Sequence, residues 1–372
     1  MVTVKQVTTA KERKEFLNFP IKLYKGNPYF VPPLYIDEKK IFKPDYVYNE
    51  MCDVVFYNAY KDGKIVGRIS GIIQRAANEK WGQTRVRFTR FDAINDKKVS
   101  AALFDEVVAW AKEKGMTEIV GPLGYSDLER EGLLIDGFDQ LSTFEEQYNY
   151  PYYQELIEDY GFKKEIDWVE HKLYLPEKRD EKFHRVAKML LEKNELTLVR
   201  PKSIKSYLKK YADQFFEILD KTYVNIYGTV PFTKKMMDMM IANFKLIVRT
   251  DNVATLVDKN GKVVGFALCF PSIAEAVNKS KGRITLPFIF RFLKTKLRPK
   301  VLDLGLIGVL PEYEPKGIAA IMIEALQDIL IGKNIDHLET NLVLEDNAHS
   351  LNLQKRFTRV YHKRRRCFIK EI

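Results

Sequence analysis

The 372-residue sequence predicts an α/β fold of the α+β kind, built from two tandem domains that each contain a mostly antiparallel mixed sheet flanked by helices. Three observations lead to this prediction: a β-hairpin pattern that occurs twice, a matching order of strands and helices after each hairpin, and a charged helical segment between the two halves. Apolar residues make up 46% of the chain and charged residues 30%, as in ordinary globular proteins.

The hairpin pattern is the first of these observations. Residues 54–73, VVFYNAYKDGKIVGRISGII, predict two strands joined by an Asp-Gly turn, and residues 253–270, VATLVDKNGKVVGFALCF, predict the same with an Asn-Gly turn. The matching motifs GKIVG and GKVVG begin at Gly63 and Gly261, which are 198 residues apart. A period of this length is too long for a solenoid, so it indicates duplication of a whole domain.

The elements after each hairpin follow one order: strand, amphipathic helix, strand, second helix. In the first half they are RVRFTRFDAI (85–94), VSAALFDEVVAWAKEKG (99–115), TEIVGPLG (117–124) and YYQELIEDYGF (152–162). In the second half they are VLDLGLIGVL (301–310), GIAAIMIEALQDILIGK (317–333), HLETNLVL (337–344) and a short helix that ends at KRF (355–357). Strands alternating with helices predict that part of each sheet is parallel.

We therefore expect an N-terminal domain at residues 1–178, a helical linker at 179–196 and a C-terminal domain at 197–372. The linker sequence is charged and has a helical pattern. The C-terminal half also contains an extra segment of about 30 residues, 272–300. Its apolar cluster LPFIFRFL predicts either a helix or hairpin that covers a cleft, or additional core.

Composition and spacing exclude several classes of function. The net charge is +11, but the Lys and Arg residues are dispersed except at HKRRRCFIK (362–370). This stretch predicts an edge strand whose charges are solvated. We therefore do not expect nucleic-acid binding. Three Cys and five His residues show no metal-ligand spacing, so no metal is predicted. The sequence has neither a signal-peptide pattern nor a membrane-spanning run, which predicts a cytoplasmic protein with no membrane partner. It does not indicate the oligomeric state.

The segment GVLPEYEPKGIAAIMIEAL (308–326) reads as the end of a strand, a loop and a helix. Pro311 ends the strand ladder, and Gly317 allows another group to approach the backbone closely. The first N–H groups of the helix have no intrahelical partner, and together with the helix dipole they form an anion site suited to a diphosphate. A tight turn with nothing bound is the alternative. The apolar positions Ile318, Met322, Leu326 and Ile329 predict one buried helix face.

This segment resembles the acyl-CoA loop of the GNAT acetyltransferase superfamily, which reads R/Q-x-x-G-x-G/A after a strand ending V-x-P-x-Y. VLPEY (309–313) and EPKGIA (314–319) match, with Gly317 at the first glycine and Ala319 as the permitted alanine, although the family usually has Arg or Gln where Glu314 stands. Residues 338–357 resemble the fifth strand and following helix of that family. The corresponding loop of the first half has no glycine pair, so the resemblance implies two tandem GNAT-like domains with an acyl-CoA loop in the C-terminal one.

The resemblance also implies acetyl-CoA or another acyl-CoA as cofactor and an amine as substrate. The residues expected to contact the cofactor are Val309, Lys316, Gly317, Ile318, Ala319, Ala320 and Asn347. The expected catalytic residues are Asp303, Asn347 and Tyr361: Asp303 is the only carboxylate on the fourth strand, and Tyr361 lies near the family's usual acid. A solvent-facing aspartate and a packing tyrosine are the alternatives.

The first half offers a second group of candidates in GPLGYSDLEREGLLIDGFDQ (121–140). Ser126, Glu129 and Glu131 either line a substrate cleft between the halves or belong to a surface loop. The predicted function is an acyl-CoA-dependent N-acyltransferase that transfers an acyl group, in the first instance acetyl, to an amine. Two alternatives stay open: a non-catalytic GNAT-like protein that binds a ligand or partner, and an aminoacyl-tRNA-dependent transferase, which the positive charge suits.

Overall fold

The computed structural model describes residues 1–331 and 333–372, whose strands form one mixed sheet. The strands of the first half are β1 (Val2–Gln6), β2 (Cys52–Lys61), β3 (Lys64–Gln74), β4 (Arg85–Ala93), β5 (Glu118–Gly121), β6 (Leu133–Asp136) and β7 (Lys163–Tyr174). Those of the second half are β8 (Thr197–Val199), β9 (Val253–Val257), β10 (Val263–Pro271), β11 (Val301–Val309), β12 (His337–Thr340), β13 (Val343–Leu344) and β14 (Thr358–Glu371).

Helices flank this sheet. They are α1 (Ala10–Leu23), α2 (Tyr35–Glu38), α3 (Arg75–Trp81), α4 (Lys97–Glu113), α5 (Tyr152–Asp159), α6 (Glu181–Lys193), α7 (Ile204–Thr222), α8 (Lys234–Ile247), α9 (Ala274–Ser280), α10 (Leu286–Leu297), α11 (Ile318–Leu330) and α12 (Ala348–Gln354). The predicted linker helix is α6, and the extra segment of the second half folds as α9 and α10. Within the described residues, no helix combines the length and apolar character needed to cross a bilayer.

The two predicted hairpins are confirmed. β2 and β3 pair antiparallel with Lys61 opposite Lys64, and the turn residues Asp62 and Gly63 have φ of 50° and 73°. Positive φ at both central residues is what a two-residue hairpin turn of type I′ requires. β9 and β10 form the second hairpin, with Gly261 at φ 80° in the turn.

The two halves exchange their last strands. The main path of the sheet runs β1-β2-β3-β4-β5-β14-β7-β12-β11-β10-β9-β8, so β14 from the second half lies beside β5, and β7 from the first half lies beside β12. β7 and β14 also pair with each other along most of their length, from Thr358 opposite Tyr174 to Ile369 opposite Lys163. We keep the division into domains at 1–178 and 197–372 as a proposal.

The prediction of an edge strand at residues 362–370 is wrong, because β14 lies in the interior of the sheet. Lys363 and Arg365 are fully buried on this strand, and both contact Glu170 of β7. The Lys363 Nζ is 3.1 Å from Glu170 Oε2, and the Arg365 Nε is 2.6 Å from Glu170 Oε1. Although burial opposes ionisation, these two cations hold the pKa of Glu170 at about 2. Both buried cations are therefore paired with one carboxylate almost 200 positions earlier.

Candidate active site

The site begins where two neighbouring strands separate. β11 and β12 run parallel and pair only from Val301 opposite His337 to Leu304 opposite Thr340. β12 ends there, whereas β11 continues to Val309. The strands therefore leave a gap beside the second half of β11.

The backbone along this gap is partly bonded to side chains. The Gly305 carbonyl accepts from Asn341 Nδ2 at 3.2 Å, and the Ile307 carbonyl accepts from the Tyr223 hydroxyl at 3.0 Å. On the other edge of β11, the Leu310 N–H donates to the Val264 carbonyl of the hairpin. Since alternate residues of an extended strand direct their N–H and C=O groups to opposite edges, Ile307 and Val309 direct theirs into the gap.

Glycine is required at residue 305. The β10–β11 register shifts at this point, with Leu268 opposite Leu306 and Cys269 opposite Leu304, so Gly305 is the extra residue of a β-bulge. A Cβ on Gly305 would lie 1.9 Å from the Phe270 ring, which stacks on Phe244 with the ring centroids 5.5 Å apart. The aromatic ring therefore lies against the backbone at the place where the strands separate.

The gap opens into a cavity of about 690 Å³ between the two halves. One wall is apolar and is formed by the second half, with residues 304–309 of β11, Met239, Met240, Phe244, Ile247, Phe270, Phe288, Ala319 and Met322. The other wall contains carboxylates of the first half: Asp127, Glu129, Glu131, Glu145 and Glu146. The cavity is thus amphipathic, and neither half forms it alone.

Desolvation raises the pKa of these carboxyl groups. The pKa of Glu131 lies well above its usual range because the group is buried and because the negative charges of Asp127 and Glu146 lie nearby. Burial raises the pKa of Glu146 to about 8, even though the Arg365 guanidinium opposes this. Burial also raises the pKa of Glu145, which accepts a hydrogen bond from Asn341 Nδ2 at 3.2 Å.

The loop after β5 brings the first-half candidates to the cavity, in agreement with the cleft interpretation. Glu129 and Glu131 line it, and Ser126 is buried with its Oγ 3.2 Å from the Tyr48 hydroxyl. Glu129 accepts a hydrogen bond from the Tyr46 hydroxyl at 3.0 Å. Burial and these contacts show that the segment is not a solvent-exposed surface loop.

The predicted acyl-CoA loop lies at the edge of the cavity. Gly317 has φ 76°, and its N–H donates to the Glu314 carbonyl at 3.0 Å, while the Ala320 N–H donates to the Gly317 carbonyl at 3.0 Å. Two of the amides expected to bind a diphosphate are thus bonded within the loop. Ala319 and the exposed Glu314 line the cavity, and the buried Ile318 belongs to the apolar face of α11. The Lys316 ammonium lies 4.1 Å from the centroid of the Tyr313 ring, on the loop surface.

The predicted catalytic residues are not brought to one place. Asn347 lines the cavity and caps α12 by accepting from the Ser350 N–H at 3.0 Å. Among the described residues that line the cavity, neither Asp303 nor Tyr361 is present. Asp303 is buried opposite Glu339, and its pKa is well above the usual range because of burial and the neighbouring carboxylates. Tyr361 is 43% exposed and donates to Asp136 at 2.5 Å.

Sequence reasoning missed four polar residues of the cavity: Tyr223, Asn341, Glu145 and Glu146. Asn341 follows directly after β12, and a polar residue at the end of a parallel strand is a recognisable signal. Asn341 Oδ1 is buried and has no hydrogen-bond partner within the described part of the chain, so it is an acceptor available to a ligand. Tyr223 and the two glutamates lie in segments with no motif.

The fold and the cavity define a member of the GNAT acetyltransferase family, and comparison with known proteins shows the same. The sequence profile described as the acetyltransferase (GNAT) family matches residues 212–357. Protein YghO of Escherichia coli (strain K12) is 30% identical over 386 residues, which span 99% of this chain and 95% of that protein. The chain therefore belongs to this family.

Two further comparisons extend over the whole chain. The bacterial ceramide synthase of Caulobacter vibrioides (strain NA1000 / CB15N) is 23% identical over 380 residues, covering 100% of this chain and 98% of that one. The solved structure of a tandem GNAT protein from the clavulanic acid biosynthesis pathway superposes with a TM-score of 0.57 at 11% identity, covering 100% of this chain and 98% of that chain. The predicted fold class, a mixed α/β arrangement of two tandem GNAT-like units, is thus confirmed.

Proposed function

We propose that this protein is an N-acyltransferase that transfers an acyl group from acyl-CoA to the amine of an acceptor with a long aliphatic chain. One observation carries the proposal: an apolar wall and a group of carboxylates with raised pKa face each other across one cavity, beside the gap between β11 and β12. Long-chain amines combine the two chemistries that such a cavity binds. The similarity to a protein named bacterial ceramide synthase supports this choice, because a ceramide is an N-acylated long-chain amino alcohol.

The residues present fit the thioester end of acyl-CoA, which supplies an activated acyl carbonyl. The Val309 N–H, directed into the gap, would donate to that carbonyl oxygen; Val309 is one of the residues that the family resemblance places at the cofactor. Ala319 and Met322 would contact the acyl arm, and Asn347 lies at the same side of the cavity. Gly317 and Lys316 remain the proposed contacts for the diphosphate of acyl-CoA. Fewer backbone N–H groups are free there than the family resemblance implies, because those of Gly317 and Ala320 donate within the loop.

The carboxylates suit the acceptor amine. An alkyl ammonium has a pKa near 10.4, so at neutral pH it must lose a proton before it can attack a carbonyl. An ammonium bound beside Glu131, Glu145 and Glu146 would favour their ionised forms, and an ionised carboxyl group with a pKa of about 8 is a stronger base than an ordinary one. Asp303, whose pKa is raised partly by Glu145, is retained as a further proton acceptor behind this wall.

The proposed reaction balances within the cavity. The amine nitrogen, after giving one proton to a carboxylate, attacks the thioester carbonyl carbon; the new C–N bond forms and the C–S bond breaks. The nitrogen then loses a second proton, which restores the hydroxyl of the acid that protonates the thiolate. We assign the protonation of the departing thiolate to Tyr223, which lines the cavity and whose hydroxyl lies 3.0 Å from the Ile307 carbonyl. This assignment replaces Tyr361 in the proposal, since the Tyr361 hydroxyl is bonded to Asp136 instead.

The test is thiol release from acetyl-CoA and from palmitoyl-CoA, measured with a thiol reagent, in the presence of either a C18 amino alcohol or ethylamine. We expect release with the long-chain amine, together with the amide product in the mass spectrum, and much less with ethylamine. Binding of the amino alcohol without any amide product, for either acyl donor, would contradict catalysis. It would support the non-catalytic alternative, which the internally bonded Gly317 and Ala320 amides favour.

A further inference from the structure

The helix α10 presents an uncovered apolar face to solvent. Its exposed apolar side chains share one helical face, at spacings of three or four residues: Leu286 (73% exposed), Ile289 (41%), Phe290 (73%), Leu293 (46%) and Leu297 (67%). Phe288 and Phe292 lie on the other face, where they stack with a centroid distance of 5.9 Å and pack against Ile273 and Val277. The inward face already anchors the helix, so the outward one is left for a partner.

The region around this face is strongly basic. Residues 276–302 contain eight Lys and Arg residues and no Asp or Glu. Arg291, Lys294 and Arg298 are exposed on α10 or at its end, and Arg283 stacks on the Tyr35 ring at 3.7 Å just before the helix. A partner for this face must therefore be apolar at its centre and negatively charged around it.

The inward face of α10 and the residues just before the helix reach the cavity. Ile284, Phe288 and Phe292 line the cavity, and so does Leu246 at the end of α8, which is 63% exposed. The two helices are joined here, because the Lys296 Nζ donates to the Leu246 carbonyl at 2.5 Å. An aliphatic chain could pass from the surface of α10 to the carboxylates without crossing a polar barrier at these residues.

We propose that the outward face of α10 docks on an anionic lipid surface and that the adjoining end of the cavity faces the acyl chains. A 12-residue helix is about 18 Å long, too short to span a bilayer but typical of helices that lie in its interface. The expectation of no membrane partner rests on the lack of a spanning run and of a signal-peptide pattern, and an interfacial helix needs neither. The docking is independent of the proposed reaction. If a lipid amine enters the cavity from the bilayer, its use as a substrate rests on the proposed function.

Charge argues against a second copy of this chain as the occupant. A two-fold symmetric contact would place the patch against itself, bringing Arg291, Lys294 and Arg298 of one copy toward the same cations of the other. An anionic lipid surface instead attracts each Lys or Arg near it, and it accepts apolar side chains between its headgroups. The lipid surface therefore satisfies both features of the patch.

The test is co-sedimentation of the full chain with vesicles of phosphatidylcholine containing phosphatidylglycerol, without acyl-CoA or amine, so that failure of acyl transfer does not affect the result. We expect binding that weakens with salt, and binding weaker by about tenfold or more in the double variant Phe290→Ser/Leu293→Ser, which loses two apolar anchors without a change in charge. Met189→Ser is the matched control, because Met189 is 54% exposed on α6; its binding should equal that of the wild type.

A second variant tests the charge independently. Arg291→Gln/Lys294→Gln/Arg298→Gln should weaken binding about a hundredfold at low salt, at about fivefold per cation, and urea unfolding checks that each variant is folded. Absence of wild-type binding to these vesicles, or equal binding by wild type and both multiple variants, would overturn the proposal. So would a concentration-dependent dimer in sedimentation velocity that Phe290→Ser/Leu293→Ser abolishes while vesicle binding persists.

Discussion

Replacement of Lys363 by Met removes one charge from the interior of the shared sheet. The Lys363 ammonium and the Glu170 carboxylate are both 0% exposed and lie 3.1 Å apart, across the pair of strands that joins the two halves. Met has an unbranched side chain of similar volume, so the substitution tests the charge and not the packing. Glu170 keeps its second cation, Arg365, at 2.6 Å.

Two considerations bear on how much free energy of unfolding Lys363→Met should lose. Removal of one partner from a buried ion pair costs about 3–5 kcal/mol, and the remaining Arg365 places this case near about 3 kcal/mol. The pKa of Glu170, held against the effect of burial at about 2 instead of 4.5 by Lys363, Arg365 and His362, corresponds to about 3 kcal/mol at neutral pH, which these groups share. Because this pKa is lowered on folding, the contribution is present above about pH 4.5 and is lost as the pH falls toward 2.

The assay is urea unfolding at pH 7, followed by the fluorescence of the buried Trp168 on β7. We expect Lys363→Met to lower the unfolding free energy by about 3 kcal/mol, and to lose less stability than the wild type between pH 5 and 3. Arg359→Met, an exposed cation on the same strand, is the control and should change it by less than about 0.5 kcal/mol. A Lys363 variant as stable as this control would refute the argument.

Three further predictions concern the cavity. Tyr223→Phe removes the proposed acid, so kcat for thiol release should fall about a hundredfold with KM nearly unchanged; an unchanged kcat would exclude that role. Wild-type kcat/KM should rise with pH up to about 8, because the proposed base Glu146 accepts a proton only when ionised. Glu146→Gln should remove this rise from the pH profile. A rise that persists in the variant would show that another group is responsible. Gly305→Ala should lower the free energy of unfolding in urea by about 1–3 kcal/mol through contact with Phe270, and Phe270→Leu should restore part of the loss; independent, additive effects would contradict the contact.

The predicted site residues fall into two groups: those that belong to a pattern of neighbouring residues, and those that depend on their side-chain chemistry alone. Gly317 and Ala319 belong to one strand–loop–helix pattern, and Asn347 belongs to the strand–helix pattern that follows it. Ala319 and Asn347 line the cavity, and Gly317 lies in the loop beside Ala319. Asp303 and Tyr361 were chosen for their side-chain chemistry at an expected position. Which way a strand residue faces depends on bulges and on the neighbouring strands, and Gly305 introduces such a bulge two residues after Asp303.

The sequence by itself determined the duplication, the order of the elements, both hairpin turns and the buried face of α11, because periodicity and turn residues act over a few positions. Only the tertiary structure decided the exchange of β7 and β14, and with it the cavity between the halves. The alternating pattern of residues 362–370 is the same for an edge strand and for an interior one. Lys363 and Arg365 become interior residues only because Glu170, far away in sequence, lies opposite them and pairs with both.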